Sequence, residues 1–367
     1  MRNSQAHFHQ YLQKEKKLNG FFVLKTENIF WLTGFHGSFG IFVQMTSGKK
    51  FLISDGRYFE KIKSLAPKND FIPILFDPKE SKKLGKSLDI KTKNNCFGIE
   101  KSLSLEKLAW LKKTFPNNIF VSKSHTIEQL RRNKTADEIQ KAKKAQAQVD
   151  NILVPFLSKN LKADISEKEL AFKLEISLRE NGKFELSFPI IIAFGKNSAI
   201  PHHHSENKKL KSGENILIDC GVKYEGLCSD MTRNFCFESV NKEFLQRYCI
   251  LLNAQKKCLK KFLPKTKVAD LDIFCRTELG TESKNFTHSL GHGVGLEIHE
   301  SPQISAQSAE TLREGEIVTC EPGLYYPGKF GIRIEDCLVV RKEKPEILTQ
   351  TTKDLLIFNE EGTLKKV

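Results

Sequence analysis

The sequence predicts an α/β domain followed by an α+β domain, and three observations carry that reading. At 367 residues the chain is too long for one ordinary domain. Roughly the first 125 residues alternate apolar runs with helical stretches. The remainder opens with capped helices and then, after Leu186, changes to short β-rich runs separated by turns.

In the first part, residues 21–35 (FFVLKTENIFWLTGF), 39–45 (FGIFVQM) and 49–55 (KKFLISD) are apolar runs broken by Gly and polar turns. A helix is expected from about Arg57, strands at 71–76 and 95–100, and a short amphipathic helix over 104–115. Residues 122–133 are polar and carry Arg131 and Arg132, so the domains are drawn as 1–125 and 126–367. Thr135 with Glu138 has the spacing of a capping box, and Ser166 with Glu169 repeats it. Leu170, Leu174 and Leu178 then recur at helical spacing, and Gly182 is placed to stop that helix. Strands are expected at 188–195, 215–222, 232–238, 316–326 and 331–340, mostly antiparallel, with helices near 243–263 and 268–279.

Composition limits the function. Hydrophobic residues make up 39%, enough for real cores. No stretch approaches the roughly 20 apolar residues of a membrane span. The first 20 residues hold no apolar run, so no secretory signal is expected. Nine scattered cysteines without a CxxC pair read as reduced thiols in a cytoplasm. Lys+Arg 59 against Asp+Glu 44 gives +15, which raises a non-catalytic nucleic-acid-binding protein as a remote alternative. The lysines are spread from end to end. The nearest basic stripe, Lys256, Lys257, Lys260 and Lys261, has the spacing of a wet helix face. Neither nucleic acid nor membrane is expected as a partner.

The chemistry lies after residue 185. Asp219 follows the apolar run Ile216–Ile218, and its midpoint with Asp230 falls between Tyr224 and Glu225, just before Gly226. A turn there would set the two aspartates face to face, with Cβ atoms about 4.5–5.5 Å apart. Carboxylates that close repel unless cations lie between them, and they suit a pair of metals. Arg333 and Glu335 share one face of a strand while Ile332 and Ile334 take the other. A plain ion pair is the simpler reading of those two alone. Glu321 precedes a Pro-Gly turn. His288, His292 and His299 sit among Gly291, Gly293 and Gly295, without the Gly-Lys-Ser/Thr of a phosphate loop. Oxygen-rich ligation with one imidazole suits Mn²⁺ or a similar ion better than a structural Zn²⁺. Cys220 and Cys320 should point away into the core.

The ordered set Asp219, Asp230, His292, Glu321, Glu335 resembles the metallopeptidases of the pita-bread fold, specifically the Xaa-Pro peptidases. Trp31–Phe35, Ser54–Tyr58 and Leu130–Lys134 resemble that family's N-terminal domain and its entry into the catalytic domain. The resemblance implies a pita-bread catalytic domain behind a smaller creatinase-like domain. It implies two divalent ions, Mn²⁺ foremost, with Co²⁺, Zn²⁺ and Fe²⁺ as alternatives. Asp230, His292 and Glu321 would hold one ion, Asp219 the other, and Glu335 would bridge. Glu321 would carry a proton to the leaving proline nitrogen, His202 and His299 would steady substrate and intermediate, and His288 would line the substrate pocket. Arg333 would orient the Glu335 side. Pro201 is followed by three histidines, His202, His203 and His204, where the family has one, and His202 is chosen. The implied activity is removal of an N-terminal residue from proline-containing peptides with proline second, by a homodimer. The alternative is an Xaa-Pro dipeptidase.

Overall fold

The computed structural model describes residues 2–79, 84–88, 90, 94–362 and 364–366, with the side chains of 2 and 3 left aside. The chain divides into two compact units, Met1–Arg131 and Arg132–Val367. The division falls inside the polar 122–133 stretch. Residues Thr126–Leu130 form a short helix, and Arg131 donates to Asn28 Oδ1 at 2.9 Å, so this segment is tied to the first unit.

The first unit is built on a six-stranded mixed sheet. Its order is Ile72–Leu75, Lys50–Ser54, Ile41–Met45, Gly20–Val23, Cys96–Glu100, Ile119–Lys123. The run at 21–35 is strand only at its start. Residues Thr26–Thr33 form a helix, closed by Gly34 in the left-handed region at φ 70°. Leu24 and Lys25 amides both donate to the buried Glu100 carboxylate, at 2.7 and 2.9 Å, which turns the chain out of the sheet there. The sixth strand, Ile119–Lys123, is not among the strands expected from the sequence and runs into the start of the 122–133 stretch. It is an edge strand whose apolar part is only Ile119–Val121, with Ile119 exposed.

The second unit contains two five-stranded sheets, each backed by a pair of helices. One sheet runs Leu364–Lys366, Leu356–Phe358, Met231–Phe237, Asn215–Cys220, Ile191–Phe194. Helices Ala136–Asn160 and Glu167–Arg179 share a core with it, through Val149, Leu153, Leu170, Leu174 and Leu178. The other runs Glu300–Ile304, Gly291–Gly293, Ile317–Cys320, Asp336–Val339, Glu346–Ile347. It packs with helices Lys242–Leu259 and Val268–Leu279 through Leu251, Cys258, Leu271 and Cys275. Among the described residues of this unit, pairing is antiparallel except between Met231–Phe237 and Leu356–Phe358.

The Thr135 capping box forms as expected, with both reciprocal bonds present. At Ser166 only half of it forms: Ser166 Oγ accepts from the Glu169 amide, while the Glu169 side chain pairs with Lys173. That helix stops at Arg179, three residues before Gly182, because Glu180 already adopts a left-handed backbone at φ 42°. All nine cysteines are free thiols, and Cys220 and Cys320 lie in the cores as expected. Among the described residues no helix is long and apolar enough to cross a membrane.

Candidate metal centre and active site

The first two acids come from one hairpin. Its register is Asp219↔Thr232 and Tyr224↔Leu227. Glu225 (φ 47°) and Gly226 (φ 89°) form the two-residue turn, both left-handed, as the twist of a tight hairpin requires. The expected face-to-face opposition of Asp219 and Asp230 is therefore corrected. The turn is centred one residue later than their midpoint, which shifts the pairing by two. Thr232 faces Asp219, and Asp230 becomes its diagonal neighbour, a relationship that spans about 7–8 Å between Cα atoms.

His292 sits on Gly291–Gly293, an interior strand of the second sheet between Glu300–Ile304 and Ile317–Cys320. A Cβ on Gly291 would lie 2.3 Å from the Thr319 carbonyl oxygen, and one on Gly293 would lie 2.3 Å from that of Ser301. Glycine on each side lets the neighbouring strands close on His292. The His292 Nδ1–H donates to the Gly293 carbonyl at 3.0 Å. That aims Nε2 at Glu321 Oε1, 3.2 Å away, and Asp230 Oδ2, 3.5 Å away. Glu321 ends the strand Ile317–Cys320 just before Pro322. Thr319 Oγ1 accepts from the His292 amide at 3.0 Å and donates to Glu321 Oε1 at 3.1 Å.

Ile332 and Ile334 are fully buried in the core, and Arg333 and Glu335 lie on the site side. The strand expected at 331–340 is nevertheless broken between them: Phe330–Arg333 pairs with Gly323–Tyr326, and Asp336–Val339 belongs to the second sheet. Arg333 and Glu335 are not paired with each other, and this corrects the simple ion-pair reading. Arg333 Nη2 lies 2.6 Å from Asp219 Oδ2, and Nη1 donates to the Tyr325 hydroxyl at 2.9 Å and to the Pro201 carbonyl at 3.1 Å. Arg333 reaches Glu335 only through Thr232: its Nε donates to Thr232 Oγ1 at 3.0 Å, which donates to Glu335 Oε2 at 2.7 Å.

The electrostatics identify what this set lacks. Burial first, and the neighbouring carboxylates next, push Asp230 and Glu335 well above the ordinary carboxylate range. Asp219 is also raised by burial and by Glu321, against the opposing charge of Arg333. Glu321 behaves oppositely. Burial disfavours its charge, but the hydrogen bond and charge of His292, with His288 and Arg333 beyond, hold it down to about 2. Buried Asp219 Oδ1 and Glu335 Oε1 have no hydrogen-bond partner. Ligand atoms of Asp230, His292 and Glu335 all lie within 4.8 Å of one another. Buried carboxylates that repel, two orphaned oxygens and an imidazole with a fixed tautomer fit divalent cations.

The remaining histidines divide by partner. His288 is tied at both nitrogens: Nδ1–H donates to the Ser289 carbonyl and Nε2 accepts from Tyr325, both at 2.8 Å. The ring also packs edge-to-face with Phe286, centroids 5.0 Å apart. The His299 ring stands edge-on to His292, with centroids 4.4 Å apart. His202 is exposed and follows Pro201, whose carbonyl accepts from Arg333 Nη1. His203 is buried, with Nε2 2.8 Å from the fully buried Glu167 carboxylate. His204 is exposed.

Residues that the motif reading passed over complete the centre. Thr232 was legible, since it lies two residues beyond Asp230 in a strand. Tyr325 was legible only through the Gly323↔Arg333 pairing, which brings its hydroxyl under the guanidinium. Burial pushes that hydroxyl up to about 12, so it stays neutral. Thr319 carried no signal of its own.

The signature of Metallopeptidase family M24 matches residues 140–342, more than half the chain, and spans all five acid and histidine positions. The chain belongs to metallopeptidase family M24. Residues 7–132 match the Creatinase/Prolidase N-terminal domain. The putative dipeptidase YkvY of Bacillus subtilis (strain 168) is 32% identical to this M24 chain over 356 residues, 94% of this chain and 97% of the relative. Among solved structures, an Xaa-Pro dipeptidase from Bacillus anthracis superposes with a TM-score of 0.90 at 29% identity, covering 98% of this chain and 100% of that one. An X-Pro aminopeptidase from Thermotoga maritima MSB8 gives a TM-score of 0.86 at 31% identity, covering 96% and 99%. The pita-bread fold implied by the resemblance is the fold of this M24 peptidase, and membership sets aside the non-catalytic nucleic-acid reading.

Proposed function

We propose that the protein is an Xaa-Pro dipeptidase. The observation that carries the hydrolytic part is the buried set Asp219, Asp230, His292, Glu321 and Glu335, complete and short of positive charge. The dipeptidase part is supported by the relatives, because YkvY and the Bacillus anthracis structure are both described as dipeptidases. The expected preference for longer peptides with proline second thus gives way to its alternative. The Thermotoga maritima structure is the observation that favours the aminopeptidase.

Asp219, Asp230, His292, Glu321 and Glu335 would hold two divalent ions, Mn²⁺ foremost. Such ions lower the pKa of water and polarise the scissile carbonyl. The Xaa-Pro bond lacks an N–H, so a peptidase must accommodate the ring itself. Glu321, whose Oε1 lies 3.2 Å from His292 Nε2, takes the proton of the attacking water and passes it to the proline nitrogen as the bond breaks. His202, next to the Arg333-bound Pro201, and His299, against the His292 ring, steady the substrate and the tetrahedral intermediate. Tyr325 and Arg333 hold His288 and Asp219 in place around them. The nine free thiols suit a reduced cytoplasm, and the homodimer rests on the family resemblance alone.

The test is Mn²⁺-loaded enzyme on Xaa-Pro, Xaa-Pro-Xaa and Met-Ala-Xaa peptides. Cleavage confined to Xaa-Pro supports the dipeptidase. Efficient cleavage of Xaa-Pro-Xaa establishes the aminopeptidase instead, and cleavage of Met-Ala-Xaa alone overturns proline specificity.

A further inference from the structure

Three consecutive side chains of the strand Met231–Phe237 reach across to the segment that carries Glu335. The Thr232 hydroxyl donates to Glu335 Oε2 at 2.7 Å, Arg233 Nη1 donates to the Glu335 carbonyl, and Asn234 Nδ2 donates to the Arg333 carbonyl. The Glu335 amide returns a bond to the Thr232 carbonyl at 3.2 Å. Arg233 is 1% exposed. Its guanidinium also donates to Asp336 Oδ1 at 2.7 Å and to the Thr351 carbonyl at 2.9 and 3.1 Å. Asp336 is fully buried, and its other oxygen accepts from Gln255 Nε2 at 2.9 Å and from Lys353 Nζ.

Replacing a buried ion pair with apolar residues is often neutral or stabilising, so this pair is weak evidence for stability alone. Its place in the chain suggests another purpose. Asp336 directly follows Glu335, and neighbours in an extended chain point to opposite sides. Asp336 is anchored behind the site, Arg233 grips the carbonyl between the two residues, and Glu335 is left facing forward. Only a planar guanidinium reaches Glu335, Thr232, Asp336 and Thr351 at once, whereas a lysine ammonium is a compact point charge.

We propose that the Arg233–Asp336 pair is a positioning device for the metal centre, fixing the Glu335 main chain so that its unpartnered Oε1 faces the ions. The proposal rests on the metal-site reading above. In the test, wild type, Arg233→Lys and the double variant Arg233→Met with Asp336→Leu are stripped with a chelator. Each is then titrated with Mn²⁺ by calorimetry, and thermal unfolding of the metal-free forms is recorded alongside. Arg233→Lys should bind Mn²⁺ about 10- to 100-fold more weakly, with kcat lowered and the substrate KM near wild type. The double variant leaves Lys353 and Gln255 without Asp336, so it should unfold somewhat earlier than wild type, and it should stay weak for Mn²⁺. Wild-type affinity in Arg233→Lys overturns the proposal, as does a double variant that recovers Mn²⁺ affinity along with stability. A wild type that takes up no Mn²⁺ overturns the metal reading itself, which separates the two failures.

Discussion

Arg333 holds Asp219 from the side, 2.6 Å from Nη2 to Oδ2, and both side chains are largely buried. One guanidinium thereby joins an acid of the first sheet to the Tyr325–His288 pair and, through Thr232, to Glu335. The four acids and the histidine come from strands and strand ends of the two five-stranded sheets, and this arginine, on the two-stranded ladder Gly323–Tyr326 with Phe330–Arg333, is one of the links between them. Lysine at this position would keep a charge but not the four contacts. Arg333→Lys should lower kcat by about 10- to 100-fold, the range for groups that orient metal ligands. Steady-state kinetics check this, and a wild-type kcat in the lysine variant contradicts it.

Ligand variants should separate activity from folding. Asp219→Ala and Glu335→Gln each remove a buried oxygen that has no hydrogen-bond partner. Peptidase activity should fall by at least about 100-fold in both. Glu335→Gln also removes a charge that its neighbours resist, so its metal-free form should unfold no earlier than metal-free wild type. Circular dichroism melts beside activity assays decide this, and an active Glu335→Gln enzyme counts against the bridging role.

Stability of the metal-free protein should depend on pH in a particular direction. Asp219, Asp230 and Glu335 are raised, by burial first and by neighbouring carboxylates next. Groups raised in the folded state bind more protons there than in the unfolded state. Their contribution is full below the ordinary carboxylate range and is lost as pH rises through the raised values. His292 is raised too, where the pull of Glu321 outweighs burial, and it adds the same sign. Glu321 is lowered and acts oppositely, but its contribution is lost only as pH falls toward about 2. The unfolding temperature of chelator-treated protein should therefore decline between about pH 5 and pH 8, less steeply in Glu335→Gln. Added Mn²⁺ should stabilise increasingly over the same range, since its ligands must be deprotonated. Equal slopes in wild type and Glu335→Gln contradict the assignment.

The three adjacent histidines should differ. His203 is buried against Glu167. That carboxylate also accepts from the Phe194 and Glu206 amides and from Asn197. His203→Ala should cost about 1–3 kcal/mol of stability by leaving a buried acceptor short of a partner. His202→Ala should leave stability near wild type while lowering kcat and kcat/KM together, by roughly 10²-fold. His204→Ala should be nearly silent. Crippled activity in His204→Ala with an unimpaired His202→Ala moves the role two residues along.

Some of this was legible in the sequence because the physics is local. Buried strands flank each acid, glycines flank His292, and the Thr135 cap declares itself by spacing. The register of the Asp219 hairpin was not legible, because it turns on Glu225 adopting a left-handed backbone that its residue type does not advertise. Nor was the partner of Arg333, which is chosen across two sheets and not along one strand. The edge strand Ile119–Lys123 was hidden because its apolar run is only three residues long, three of its five side chains are exposed, and it runs into the polar stretch read as a junction.

The central claim is that five side chains from two sheets hold a pair of divalent ions. Anomalous diffraction from crystals soaked in Mn²⁺ tests it most directly. The account predicts two anomalous peaks within bonding distance of Asp219, Asp230, His292, Glu321 and Glu335. A map with no peak at these residues, or with peaks that touch neither Asp219 nor Glu335, contradicts it.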